Sequence, residues 1–199
     1  MSKTLQTLNP TECAQLLQWL GIDRGKYITQ KRLIRDLLIT LLMLDAGLRV
    51  GEVVKLKIHD LFFGDHPVQT LIVRAEIAKR HVERCIPMST RLQNTVIAMF
   101  NYDNAWRQAL CSDWAFKMDG SERPLTTRAI QIIIKAASRR SIDRPIHPHV
   151  LRHTFATRLM QKTNMRVVQE LLGHASIQTT QIYTHPNSQD LSSAILSMD

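Results

Sequence analysis

Six side chains in this 199-residue chain are of the types that can open a phosphodiester without a metal ion: Arg49, Lys79, His149, Arg152, His174 and Tyr183. The densest stretch runs from His149 to His185, where HVLRHTFATRLM is followed by VVQELLGHASIQTTQIYTH. A phenol has a pKa near about 10, so attack by Tyr183 needs a base and cations to stabilise the oxyanion. His149, Arg49 and Arg152 are the groups that could supply them. Arginine suits phosphate because its planar fork donates two charge-assisted hydrogen bonds at once. Taken singly, each residue also has an ordinary reading. Arg152 fits a surface arginine, His174 a capping or core histidine, and Tyr183 a packing residue at a helix end, since Pro186 stops any helix there.

The elements that must position these groups can be read from spacing. His149 and Arg152 are three apart and share one helix face, while Leu151, Phe155 and Leu159 run along another and should pack inward. That helix presents His149 and Arg152 near its N-terminus, where the dipole favours an anion. His147, His149 and His153 form HxHxxxH, which invites a metal reading. No Asp, Glu or Cys lies nearby in sequence to complete a tetrahedral set, and Pro148 stiffens the first pair, so no metal is expected. Gly173 suits the residue just past a helix end and puts His174 immediately beyond it. Arg49 lies between Gly47 and Gly51, which let the backbone turn and approach a ligand. Glu52 either holds the Arg49 guanidinium or is an acid at a helix start. Lys79 has Arg74, Arg80 and Arg84 around it. A basic hairpin suits DNA, or is simply a solvated turn, and a flexible ammonium there could deliver a proton.

Periodicity predicts helices over residues 11–20, 31–44, 90–100, 126–138, 150–162, 165–172, 176–183 and 188–198, with a short one through Val53, Val54 and Leu56. Asn9-Pro10 is a start signal and Gly47 a stop. Residues 68–73 and 82–88 read as two strands joined by a loop without a tight-turn signature. Trp114 and Phe116 form an apolar anchor ahead of a turn at Gly120. The fold class is mainly α with a small antiparallel β-sheet (α+β), in one piece.

Hydrophobic residues make up 44% of the chain, which suits one domain with a real core. The formal charge is +9 and the pI near 9.9, pointing to a polyanionic partner, nucleic acid first. Cys13, Cys85 and Cys111 are odd in number and scattered, which fits neither a zinc site nor a disulfide framework. The most apolar stretch, residues 33–44, contains Arg35 and Asp36 and is too short to span a bilayer. With no leader-like start, a cytoplasmic protein with no membrane partner is expected.

AGLRVGEVVKLKIHDL, HPHVLRHTFATRLM and VVQELLGHASIQTTQIYTH together resemble the motifs of the tyrosine recombinase (phage integrase) catalytic domain. The resemblance runs from about residue 11 to the C-terminus. It implies the tyrosine recombinase catalytic-domain fold, with Arg49 as first catalytic arginine and Glu52 as its acidic companion. His149 and Arg152 match the H-x-x-R pair, His174 the later histidine and Tyr183 the nucleophile. Lys79 is placed as the hairpin lysine by aligning residues 83–88 with the strand after the loop. The family's glycine-rich lysine loop is replaced by Ala78-Lys79-Arg80, which leaves Arg80 and Arg74 as rivals. Arg74, Arg80 and Arg84 are read as DNA contacts.

The function so implied is site-specific recombination: DNA strands are cleaved and rejoined through a 3′-phosphotyrosyl intermediate, without metal, ATP or other cofactor. The implied partners are double-stranded DNA, further copies of the chain in a tetramer around two duplexes, and accessory DNA-bending proteins. The implied location is the cytoplasm, on the nucleoid. Alternatives are a catalytically idle DNA-binding or regulatory protein on the same fold, a type IB topoisomerase, and, more remotely, a metal-dependent nuclease using the histidine cluster. Residues 1–199 are read as a single catalytic domain without the family's N-terminal core-binding domain, either a catalytic fragment or a naturally short recombinase like the fimbrial-switch invertases. Within residues 187–199, Leu191, Ala194, Ile195 and Met198 recur at helical spacing. That helix docks on its own core or is exchanged between protomers.

Overall fold

Helix α1 (Pro10–Gly21) begins at a capping box. The Asn9 side chain accepts from the Glu12 N–H at 2.8 Å, and the Glu12 carboxylate accepts from the Asn9 N–H at 2.9 Å. In this computed structural model of the chain, residues 6–22, 29–79, 81–108 and 113–173 are described. Thr29 caps α2 (Gln30–Leu44), whose residues from Leu38 to Leu44 are all buried. A helix apolar on every side belongs in the centre of a domain, and α2 packs against α1, α4 (Thr90–Tyr102) and α7 (Pro148–Met160). Each fully buried leucine there contributes about 1.5–3 kcal/mol.

After α2 the chain turns at Gly47 into the short helix α3 (Val50–Val53) and a 3-10 turn at Ile58–Asp60. Two antiparallel pairs follow, β1 (Phe62–Phe63) with β2 (His66–Pro67), then β3 (Thr70–Val73) with β4 (Arg84–Pro87). In the second pair Val73 faces Arg84, Ile72 faces Cys85 and Leu71 faces Ile86. Strand alternation turns Leu71, Val73, Arg84 and Ile86 inward and Thr70, Ile72, Cys85 and Pro87 outward. The loop between them is pinned by the buried Ile77 and Ala78 and leaves Lys79 exposed.

Ser89 caps α4, α5 (Asn104–Arg107) follows, and Thr126 caps α6 (Thr127–Ser141), which packs on α1 and buries Ile130, Ile134 and Ala137. Between α5 and α6, Phe116 is buried and the Trp106 indole N–H donates to the Ala115 carbonyl at 3.0 Å. Asn164 caps α8 (Met165–Leu172), which ends at Gly173 with φ +62°. Ala156, Val168 and Leu172 close a small second cluster between α7 and α8. Arg144 reaches Glu12 at 2.7 Å, and the Thr154 hydroxyl accepts from the Leu8 N–H at 2.8 Å, tying the start of the chain to α7.

The mainly helical architecture with small antiparallel sheets matches the expectation. The β1–β2 pair, the 3-10 turn and α5 were not anticipated; all three are too short to leave a periodic signal. Helix α7 starts two residues early because Pro148 occupies its first turn, where a missing N–H costs nothing. The helices expected at 176–183 and 188–198 lie outside the described residues, as do Arg80, Cys111, His174 and Tyr183. Among the described residues no helix is long and apolar enough to cross a membrane.

Candidate active site

Four of the six candidate residues fall within the described part of the chain, and α7 carries two of them. His149 is in its first turn and exposed. Arg152, one turn on, is 4% exposed. The Arg152 guanidinium donates through Nη1 to the Gly47 carbonyl and through Nη2 to the Leu172 carbonyl at 2.8 Å. It therefore clasps the α2–α3 connection to the end of α8. Gly47 is required on two counts. Its φ is +63°, and a Cβ there would lie 2.4 Å from Cδ1 of Phe155. The expected approach of this glycine to a ligand is instead an approach to Phe155 of the same chain. Gly51 sits in α3 with open space where a Cβ would be, so it has no comparable duty.

Arg49 precedes α3 and keeps its side chain 19% exposed. Glu52 holds it twice: Oε1 accepts from Nη1 of Arg49 at 3.0 Å and Oε2 from the Arg49 backbone N–H at 2.8 Å. Both readings of Glu52 are thus realised, as guanidinium holder and as acid at a helix start. The same carboxylate accepts from Nη1 and Nη2 of Arg84 at 3.1 and 2.7 Å. Burial alone would raise the Glu52 pKa. The Arg84 hydrogen bonds and charge, with the Arg49 N–H and the charge of Arg152, outweigh it and hold the carboxyl below its ordinary range. Glu52 is therefore an anion whose orientation fixes Arg49.

The His149 pKa is lowered, first by desolvation and then by the nearby charges of His147, Arg152, Arg49 and Lys79. Arg49, Lys79 and Arg152 thus all act electrostatically on His149. A neutral imidazole beside the Arg49 and Arg152 guanidiniums can accept a proton from a phenol, and the cations can stabilise developing negative charge. His149 lies 6.0 Å from the His147 ring and 6.3 Å from that of His153, centroid to centroid. Among the described residues no group of three or more His, Cys, Asp or Glu is arranged to hold a metal ion.

Two of the three arginines read as DNA contacts are differently employed. Arg84 is 6% exposed and points inward, because it shares a strand face with Ile86. It supports Glu52 and cannot present its fork to a duplex. The Arg74 guanidinium grips Asp60 through Nε and Nη2, both at 3.0 Å, and also pairs with Glu76. Arg80 lies outside the described residues. The exposed basic surface that spacing could have revealed is on α6. Arg128, Gln131, Lys135 and Arg139 recur at three- and four-residue steps opposite the buried Ile130, Ile134 and Ala137. With His147 they border a groove of about 370 Å³.

The phage integrase family model matches residues 6–190, and the chain belongs to that family. Tyrosine recombinase XerC of Listeria monocytogenes serotype 4b is 36% identical over 166 residues, covering 82% of this chain and 53% of that protein. XerC of Pseudomonas syringae pv. syringae is 36% identical over 191 residues, covering 94% and 58%. The XerA recombinase crystal structure superposes with a TM-score of 0.76 at 26% identity, over 100% of this chain and 66% of that one. XerH site-specific recombinase bound to its difH substrate before cleavage gives 0.75 at 25% identity, over 98% and 55%. The chain spans about half the length of the curated relatives it matches, 53–58% for these two.

Proposed function

We propose that this chain is the catalytic domain of a site-specific DNA recombinase that cleaves and rejoins strands through a 3′-phosphotyrosyl intermediate. The reading is supported by the charges of Arg49, Lys79 and Arg152, all of which act on His149, and by the Glu52 hydrogen bonds that hold Arg49. Tyr183 attacks the phosphorus, and its phenolic proton passes to neutral His149. Arg49 and Arg152 stabilise the charge that builds on the nonbridging oxygens. Lys79 gives a proton to the departing 5′-oxygen, and His174 hydrogen-bonds the phosphate. The ester to Tyr183 retains the bond energy, so a second 5′-hydroxyl reverses the step without ATP. Positive charge at the phosphate comes from side chains, so no metal is required.

Double-stranded DNA is the substrate, gripped by the α6 stripe as well as by the net charge of +9. Four copies assemble around two duplexes, residues 187–199 dock on their own core or pass between protomers, and accessory proteins bend the site. The chain works as one catalytic domain in the cytoplasm, on the nucleoid. The test uses a nicked duplex carrying the cognate end sequence, with EDTA present, and wild type beside Tyr183→Phe. A covalent protein–DNA band from wild type alone is expected on a denaturing gel. DNA binding without a band from either protein would favour the idle regulatory binder.

A further inference from the structure

We propose that Arg84 is a positioning residue for the reaction, tying the end of α8 to Glu52 and so setting both Arg49 and the point where the chain leaves for His174. The proposal rests on the recombinase reading above for its catalytic part.

Three segments meet at this side chain. Nη1 and Nη2 of Arg84 donate to the two Glu52 oxygens at 3.1 and 2.7 Å, while Nε donates to the Leu171 carbonyl at 3.0 Å. A guanidinium makes these bonds because its donors are fixed in one plane. Burying the charge is costly unless it is paired and hydrogen-bonded, and here both conditions are met. Each tied segment bears a candidate catalytic group. Glu52 lies in α3 beside Arg49, Arg84 opens the strand after the Lys79 loop, and Leu171 lies in the last turn of α8, three residues before His174.

The end of α8 is held on both of its last carbonyls. The Leu171 carbonyl accepts from Arg84 and the Leu172 carbonyl from Arg152. Carbonyls in the last turn of a helix have no partner within it, so these bonds fix the helix end as well as satisfy it. Gly173 then turns the chain at φ +62° against the same arginine; a Cβ there would lie 3.1 Å from Cδ of Arg84. The backbone turn at Gly173 therefore lies against the Arg84 side chain. Core cement alone would not need adjacent carbonyls of one helix end bound by two buried arginines that also reach Glu52 and Gly47.

The experiment compares wild type with Arg84→Lys, which keeps the charge but not the fork, and with Gly173→Ala, which presses on the same tie from the other side. Three quantities are measured: amide hydrogen exchange at the end of α8 against α1, DNA affinity, and single-turnover cleavage of the nicked duplex. Both variants should exchange faster at the end of α8 only and bind DNA within about twofold of wild type, since Arg84 is buried. Their cleavage rate constants should fall roughly tenfold to a hundredfold, as for a misplaced reacting group. A merely structural role would lower the reacting fraction and leave the rate constant unmoved, which overturns the proposal. So would weaker DNA binding with a shallower salt dependence, which makes Arg84 a DNA contact. Should wild type form no covalent complex, the recombinase reading fails by itself, and unchanged exchange at the end of α8 would separately overturn the tie.

Discussion

Replacing Gly47 by alanine tests the clasp that links Arg152 to the α2–α3 connection. Two costs are legible. A non-glycine residue at φ +63° loses about 1–2 kcal/mol relative to glycine. The added methyl would sit 2.4 and 2.6 Å from two carbons of the Phe155 ring and 3.2 Å from Cδ2 of Leu172, an overpacking that costs about 1–3 kcal/mol. Together they give about 3 kcal/mol, or a Tm lower by roughly 6–12 °C for a domain of this size. Denaturant unfolding of four proteins (wild type, Gly47→Ala, Phe155→Ala and the double variant) separates the two parts. In the Phe155→Ala background the steric part disappears, so Gly47→Ala should cost only about 1–2 kcal/mol, a coupling of about 1–3 kcal/mol. Equal costs in both backgrounds, or a Gly47→Ala penalty below about 0.5 kcal/mol, would refute the packing argument. It would also remove the reason given for glycine beside the carbonyl that Arg152 binds.

Because His149 titrates below its ordinary value, the acid limb of the single-turnover cleavage rate should fall below about pH 6.5, and a limb at or above that value would contradict its role as a neutral base. His153 is held down to about 4, mainly by desolvation, so the unfolded chain takes up its proton first and stability should decline as pH falls from about 6.5 towards 4. Full linkage would give about 3 kcal/mol, and solvent screening of this half-buried ring reduces that to roughly 1–2 kcal/mol. The acid-side loss measured by denaturant unfolding should shrink accordingly in His153→Gln, and an unchanged profile would refute it. Arg128→Ala and Arg139→Ala on α6 should each weaken DNA binding and reduce the salt slope by about one, measured by fluorescence anisotropy over a salt series; unchanged slopes would move the DNA surface elsewhere.

The long elements were legible because burial imposes periodicity. The apolar positions of α2 and the Met165–Leu172 helix with its terminal glycine could be read directly. Arg49, Glu52, His149 and Arg152 were legible as motif residues, and so was the hold of Glu52 on Arg49; the partners of Arg152 were not. Nothing in the local sequence says that Arg152 spends donors on two backbone carbonyls, because those partners lie 105 and 20 residues away. Arg84 was misread because a charged residue beside a basic loop suggests solvent. The alternation of β4 was the available signal, since Ile86 faces inward and Arg84 must share its face. The α6 stripe was equally legible as a helical face, with Arg128, Gln131, Lys135 and Arg139 at helical spacing. The β1–β2 pair could not be found, since two-residue strands are specified by tertiary contacts alone.

The central claim is that Tyr183 becomes joined to a DNA 3′-phosphate in a site built from Arg49, Lys79, His149 and Arg152. The most direct test is mass spectrometry of the peptides released from the covalent complex trapped on nicked DNA in EDTA. The account predicts a nucleotide adduct on Tyr183 and none in Tyr183→Phe. An adduct on any other side chain, or a covalent complex that forms only when a divalent metal is restored, would contradict it.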